Sequence, residues 1–171
     1  AGSALTVNGT LNALSVAEAL KYWPVDVGTG ARDWIAANIP EGRVGPIRVE
    51  ADLPAGVFDS NSLPDEALTL TFPFEGLTAR YITGMTPITG AHGQARLTGD
   101  SFHVTVDSGA VGPLALSEGD VTIPDLHTHG VITRIKAHSE GKMSDVLRLI
   151  DEEPLGYAKR FGLNPANVVG L

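Results

Sequence analysis

Five histidines and a scatter of carboxylates are the residues with which this chain could do chemistry. His127 and His129 stand at i, i+2 spacing, so a strand would turn both toward one face, with His103 or His138 available to complete a metal set. The surrounding DLHTHG reads more simply as a polar turn entering the next strand. Neither a short-spaced carboxylate pair nor a second regular histidine motif accompanies it, so solvent-facing or locally bonded histidines are the stronger reading. Asp65-Glu66 and Glu152-Glu153 are adjacent in sequence. That spacing does not set two carboxylates across a substrate, as acid–base catalysis requires. Glu152 and Glu153 precede Pro154, where negative charge stabilises the start of a helix. No serine or threonine sits in a nucleophile elbow or beside an evident base. Gly84, Gly90, Gly93 and Gly99 match neither a dinucleotide-binding nor a phosphate-binding loop, so tight turns and close packing are expected there. With no cysteine, thiol catalysis, disulfides and cysteine metal sites are excluded together. The expectation is a chain that is not an enzyme and carries no cofactor.

The elements that must position anything else are bounded by length and charge. A chain of 171 residues with 43% apolar and 19% charged residues predicts one folded domain with a sizeable core. The formal charge is -8 and no block of basic residues interrupts it, so nucleic acid is not an expected partner. No apolar run approaches the roughly eighteen residues of a membrane-spanning helix, and AGSALTVNGTL lacks the layout of a secretory leader. These features are equally expected of one domain or of a segment excised from a longer protein, residues 1–171 being read as a unit.

Helical spacing marks about residues 15–39 and 142–161, with a β-rich region over about 45–140. Ser15 and Glu18 have the spacing of a capping box ahead of VAEALKYW, and Pro24 closes that helix. A second helix is predicted over Ala31 to Ile39. Trp23 and Trp34 are the largest apolar groups in this half and are expected to anchor packing, with ligand stacking as the alternative. IRVEADL then alternates with period two, and LTLTFPFEG places Leu68, Leu70, Phe72 and Phe74 on one side. Pro73 argues for an edge or irregular position. GLTARYI, AHGQARL and SFHVTVD continue the pattern, with Gly99-Asp100 as a hairpin turn. Phe102, Val104 and Val106 share a face. VGPLALSEG and DVTIPDL read as shorter, turn-punctuated strands, and VITRIKAHS adds another. KMSDVLRLIDE carries a helical stripe of Met143, Val146, Leu147 and Ile150, and Pro154 suits the first turn of a last helix capped by Gly162. The fold class expected is α+β, mainly β: a curved antiparallel sheet, open rather than closed, with short helices near both ends.

Repeated one-sided apolarity is the informative feature. Leu68, Leu70, Phe72, Phe74, Phe102, Val104 and Val106 could line a greasy concavity that the helices only partly cover, suited to an acyl chain at about 0.8 kcal/mol per buried methylene. The alternative is an ordinary filled core.

The stretches YWPVDVGTGARDWIAANIPEGRV, FPFEGLTARYITGMTPITGAHGQARLTGDSFHVTVDSGAVGPLALSEGDVTIPDL and LRLIDEEPLGYAKRFGL resemble the central domain of bacterial AsmA-like, YhdP-type envelope proteins. The likeness spans about Leu5 to Leu163. It is strongest at Tyr22-Trp23-Pro24, the Trp34 helix, a Pro87-Ile88-Thr89-Gly90 turn and Pro154-Leu155-Gly156. The resemblance implies a periplasmic segment of an inner-membrane-anchored protein of a Gram-negative bacterium. That protein would belong to a wider TamB-like group that moves phospholipid between the inner and outer membranes and maintains envelope integrity. It implies phospholipid acyl chains, further β-strands of the parent chain and other envelope proteins as partners. A non-catalytic structural or protein-interaction domain is the alternative. The family motifs themselves assign no catalytic group.

Overall fold

The computed structural model describes residues 4–23, 29–56, 64–125 and 134–162. Among these, strands β1 (Leu5–Leu11), β2 (Leu14–Ser15), β3 (Glu41–Val44), β4 (Ile47–Leu53), β5 (Leu68–Ala79), β6 (Ile88–Thr98), β7 (Phe102–Val111), β8 (Leu114–Ile123) and β9 (Arg134–Glu140) form one antiparallel sheet. Its order is β1-β4-β5-β6-β7-β8-β9, with β3 on the flank of β5 and β2 beyond it. The sheet is curved and not closed into a barrel, and short helices flank it.

The first helix, α1 (Val16–Tyr22), starts where the capping box was expected. The Glu18 amide donates to Ser15 Oγ at 3.2 Å, and the Ser15 amide donates to Glu18 Oε2 at 2.9 Å. These bonds satisfy amides that a helix start leaves open and hold the Glu18 carboxyl below its usual range. A second helix, α2 (Thr29–Asn38), begins two residues earlier than its periodicity suggests. Two further helices follow the sheet, α3 (Met143–Asp151) and α4 (Tyr157–Arg160). In α3, Leu147 is buried but Met143, on the same expected stripe, is exposed because it opens the first turn.

Four local readings of the sequence need correction. Pro73 lies inside β5, a strand paired on both sides, so the edge placement fails and the irregular one holds. β5's partner changes from β4 to β3 opposite this residue, at Gly45-Pro46. The missing Pro73 amide therefore costs little, and its carbonyl accepts from the Gly45 amide at 2.8 Å. VGPLALSEG and DVTIPDL are not separate strands: Leu114–Ile123 is continuous. The Ile88-Thr89-Gly90 turn lies within β6. Pro154 stands ahead of α4, and Glu152 caps the C-terminal end of α3, where the helix dipole disfavours an anion. Its carboxylate is held by the Thr86 amide at 2.7 Å and hydroxyl at 2.6 Å instead.

Most of these corrections share a cause. Consecutive exposed pairs break the alternation at Glu75-Gly76, Thr89-Gly90, Asp107-Ser108 and Ser117-Glu118. Pairing registers shift at the same level: between Phe74 and Ala79 of β5, between Thr89 and Gly93 of β6, and between Leu116 and Glu118 of β8. β3 shifts there too, between Glu41 and Arg43. A row of bulges thus crosses the sheet. Gly76 and Gly90 occupy it with φ of 62° and 57°, a backbone conformation that glycine adopts without steric cost. Each extra residue absorbs one step of the two-residue period, so Leu77, Ala91, Val111, Leu114 and Leu116 stay inward beyond the row.

Beside that row, Gly93 stands level with Phe74 and Val106. A Cβ at Gly93 would run into the Thr105 carbonyl oxygen and lie 2.7 Å from Phe74 Cζ, so the neighbouring backbone and the ring occupy the space a side chain would take. Gly93→Ala is expected to destabilise the fold by about 2 kcal/mol through overpacking. An unchanged midpoint in urea unfolding would contradict this close packing around Gly93.

Candidate functional site

Directly opposed residues in antiparallel strands share a face, so the registers assemble the site. Gly9, Val49, Leu70, Leu97, Phe102 and Ile123 stand level across β1 and β4 to β8. The next level holds Phe72, Ala95, Val104, Val121 and Ile135, and the one after it Phe74, Gly93, Val106, Gly119 and Ala137. Leu5, Val7 and Leu11 extend the same face over Leu53, Ala51 and Ile47. Seven strands therefore present one apolar side. The opposite side is polar, with Thr10, Arg48, Thr71, Arg96, His103, Thr122 and Arg134 at a single level.

The helices cover the apolar side unevenly. Val16, Val44, Phe74, Ala91 and Ala95 form a buried cluster. Ala19, Leu20, Ile35 and Ile39 pack against it from α1, α2 and the residue after α2. Leu147 of α3 is buried, as are Val111, Leu114 and Leu116 of the β7–β8 hairpin. Between α3 and that hairpin lies a cavity of about 190 Å³ lined by Thr86, Val111, Pro113, Leu114, Asp145, Arg148, Leu149 and Glu152. Away from the bulge row, Val49, Leu53, Leu68, Leu70, Leu97, Val121 and Ile123 are only half-buried. Leu5, Leu11 and Ile135 are about half exposed, at 51%, 52% and 51%.

The expected hydrocarbon-contacting set divides accordingly. Phe74 is 5% exposed and belongs to the packed cluster. Phe72, Phe102, Val104 and Val106 are half-buried and pack against its rim. Leu68 and Leu70 lie on the open part of the face, outside that cluster. Sequence reasoning left out Val7, Leu11, Val49, Leu97 and Ile123. The alternation in LTVNGTL and in AHGQARL carried that signal, but only the register showed these side chains to be on one surface with the phenylalanines.

The other expected residues fall outside this surface. Trp23 is half-buried at the C-cap of α1, and Trp34 is 46% exposed, since α2 turns Ile35 inward instead. Pro154 is exposed in the α3–α4 turn, and Gly156 caps α4 with φ of 57°. Pro24, His127 and His129 lie outside the described residues. Among the described residues no three metal-ligating side chains converge. His103 Nε2 lies 2.6 Å from Asp120 Oδ2 on the polar face, and His138 stands beside Glu140. Also among the described residues, no helix is long and apolar enough to cross a membrane.

Polar groups tie down the open end. Asp65, in the short 3-10 turn Asp65–Ala67, accepts from the Thr98 hydroxyl and from the Asp100 amide at 3.2 Å, clamping the β6–β7 hairpin turn. The Thr98 hydroxyl holds the Asp65 carboxyl below the ordinary aspartate range, and the His103 ring does the same for Asp120.

A protein-family model described as YhdP protein matches residues 2–161. No curated protein and no solved structure matches the chain.

Two stability measurements follow from this arrangement. Phe74→Ala should cost about 3–5 kcal/mol through cavity formation, whereas Val7→Ser, on the exposed edge strand, should change stability by less than about 0.5 kcal/mol. Similar losses for both would mean that the face is uniformly filled. In the folded state Asp65 and Asp120 titrate below their unfolded value of 3.8, so their bonds add stability above that pH and lose it as pH falls through the folded values. Urea midpoints should therefore drop below about pH 4, and drop less steeply in Asp65→Asn and Asp120→Asn. Parallel pH profiles would refute the assignment.

Proposed function

Because this chain belongs to the YhdP protein family, we propose that its one-sided sheet is a segment of a non-catalytic, AsmA-like periplasmic protein that carries phospholipid between the two membranes of the envelope. The observation that supports this reading is the apolar side that runs unbroken over seven strands and is left half-buried or exposed away from the helices. A layer as close as the one over Phe74 would have buried Leu70 and Leu97 on the central strands β5 and β6, which are only half-buried. Hydrocarbon removed from water on such a surface gains about 25 cal/mol per Å² of apolar area, without any bond being made or broken.

Lipid tails would lie on the open part of the face, against Leu70, Leu97 and Phe102, while headgroups stay in solvent. Phe74 and the helices would hold the shape of the sheet at the other end. The carrier needs no cofactor for this work, because the driving force is the exclusion of water. In the wider group a membrane anchor and further strands would come from other parts of the parent protein.

Photoreactive residues at Leu70 and Phe102, introduced into the native protein in cells, are expected to capture phospholipid. The same probe at Thr71, one residue along β5 and on the polar side, should not. Adducts exclusively to protein at Leu70 and Phe102 would overturn the lipid reading in favour of an interaction domain.

A further inference from the structure

The sheet ends at β1 on one side and at β9 on the other, and the two edges differ. β1 pairs with β4 through its whole length without a shift in register, so its far side presents a straight row of backbone amides and carbonyls, and every one of its residues is exposed. LTVNGTL holds neither charge nor proline. Those are the devices with which natural sheets keep an edge from pairing with another chain. β9 has them, since Arg134, Lys136, His138 and Glu140 stand on its polar side. β2, the outermost strand beside β3, is two residues long and runs into α1. Among the described residues β1 is therefore the edge left open to a further strand.

We propose that this edge binds a second copy of the chain, the two β1 strands pairing antiparallel about a two-fold axis at Asn8. Register selects this occupant. With Asn8 opposite its own copy, Leu5 meets Leu11, Thr6 meets Thr10 and Val7 meets Gly9 across the axis, and the whole of both strands is used. An axis at Val7 or at Gly9 leaves Leu11 or Leu5 without an opposite residue in β1. Side-chain size agrees, because nothing lies within 4 Å of where a Cβ on Gly9 would stand and Val7 of the second copy enters open space. Parity agrees as well. Leu5, Val7, Gly9 and Leu11 lie on the apolar side in both copies, and a two-fold axis perpendicular to the sheet keeps the two apolar sides facing the same way. Leu5 and Leu11, about half exposed in one chain, become cross-strand neighbours. Charge does not oppose the pairing. Glu50 stands opposite Asn8 on β4, so the two copies of Glu50 are three strand spacings, about 14 Å, apart, beyond the screening length of about 8 Å at physiological salt. A contact of this kind closes at two copies, whereas β1 on β9 would grow without end. The dimer doubles the width of the apolar side, whatever that side carries.

Because the chain has no cysteine, single introduced cysteines report the register. Opposed residues of antiparallel strands have Cα atoms about 4.5–5.5 Å apart, within disulfide reach. Sedimentation equilibrium of the whole chain is expected to show monomer and dimer with no larger species. Asn8→Cys should oxidise to a covalent dimer at least about tenfold faster than Thr10→Cys, whose two copies stand about 14 Å apart, and than Lys136→Cys on β9. An equimolar mixture of Thr6→Cys and Thr10→Cys should crosslink where neither does alone. Val7→Lys, which points a charge inward at the edge, should raise the dissociation constant about tenfold or more with unchanged circular dichroism. A monomer at every concentration, an open ladder of oligomers, equal oxidation of the three single-cysteine variants, a mixed pair that does not crosslink, or a folded Val7→Lys that dimerises as before would each overturn the proposal. Lipid capture at Leu70 and Phe102 is a separate readout, so the dimer and the lipid reading can each fail without the other.

Discussion

A side chain's direction in a strand reverses at every residue, and that parity is the constraint on which the whole molecule depends. A long sheet keeps one dry side only if every strand keeps step with its neighbours. Here the sheet is curved, and an added residue both bends a strand and offsets its alternation by one step. The row of bulges through β5, β6, β7 and β8 inserts the extra residues at one level, so that the buried positions on either side of it stay on the same face. Bulges scattered at different levels would have left apolar groups facing water on some strands and charges facing the core on others.

That arrangement divides the apolar face into two regimes. Around the bulges, α1 and α2 bury Val44 and Phe74, and Glu152 ties the end of α3 to the loop before β6 through Thr86. Away from them, the face is lined by larger aliphatic groups that shield one another without a covering layer among the described helices. A fold needs enough buried area to outweigh chain entropy, and a hydrocarbon-binding surface needs area left unburied. The molecule meets both demands by separating them along the strands, with the Asp65 clamp on the β6–β7 turn supplying polar order where apolar packing thins out.

How much of this was legible beforehand depends on which interactions are local. The capping box at Ser15 and Glu18, the helices, the period-two strands and the Gly99-Asp100 hairpin are all set within a few residues, and all are found. Ser117-Glu118-Gly119 and Thr89-Gly90 are equally local, yet they misled. A polar residue beside glycine marks a turn or a bulge with the same chemistry, and only the neighbouring strand decides between them. Pro73 is a similar case, since its tolerance depends on a break in a partner strand more than twenty residues away. The apolar candidates on β5 and β7 were recognisable from alternation. Their division into core and open surface was not, because it is fixed by where α1 and α2 land.

The same parity links the two faces of the sheet. Leu70 and Thr71 are neighbours in sequence, as are Ala95 and Arg96, so each apolar level has a polar level one residue away on the reverse side. A one-residue slip of β6 against β5 would carry Arg96 onto the apolar side and Leu97 onto the polar level that holds Arg48 and Thr71, spoiling both faces at once. The bulges act against such a slip. They fix where each strand gains its extra residue, and a displaced register would put Gly76 and Gly90 where bulges are not needed, and β-forming residues where positive φ is required. Accuracy of pairing at the bulge row is therefore what keeps an apolar surface and a polar surface back to back on a sheet one residue thick.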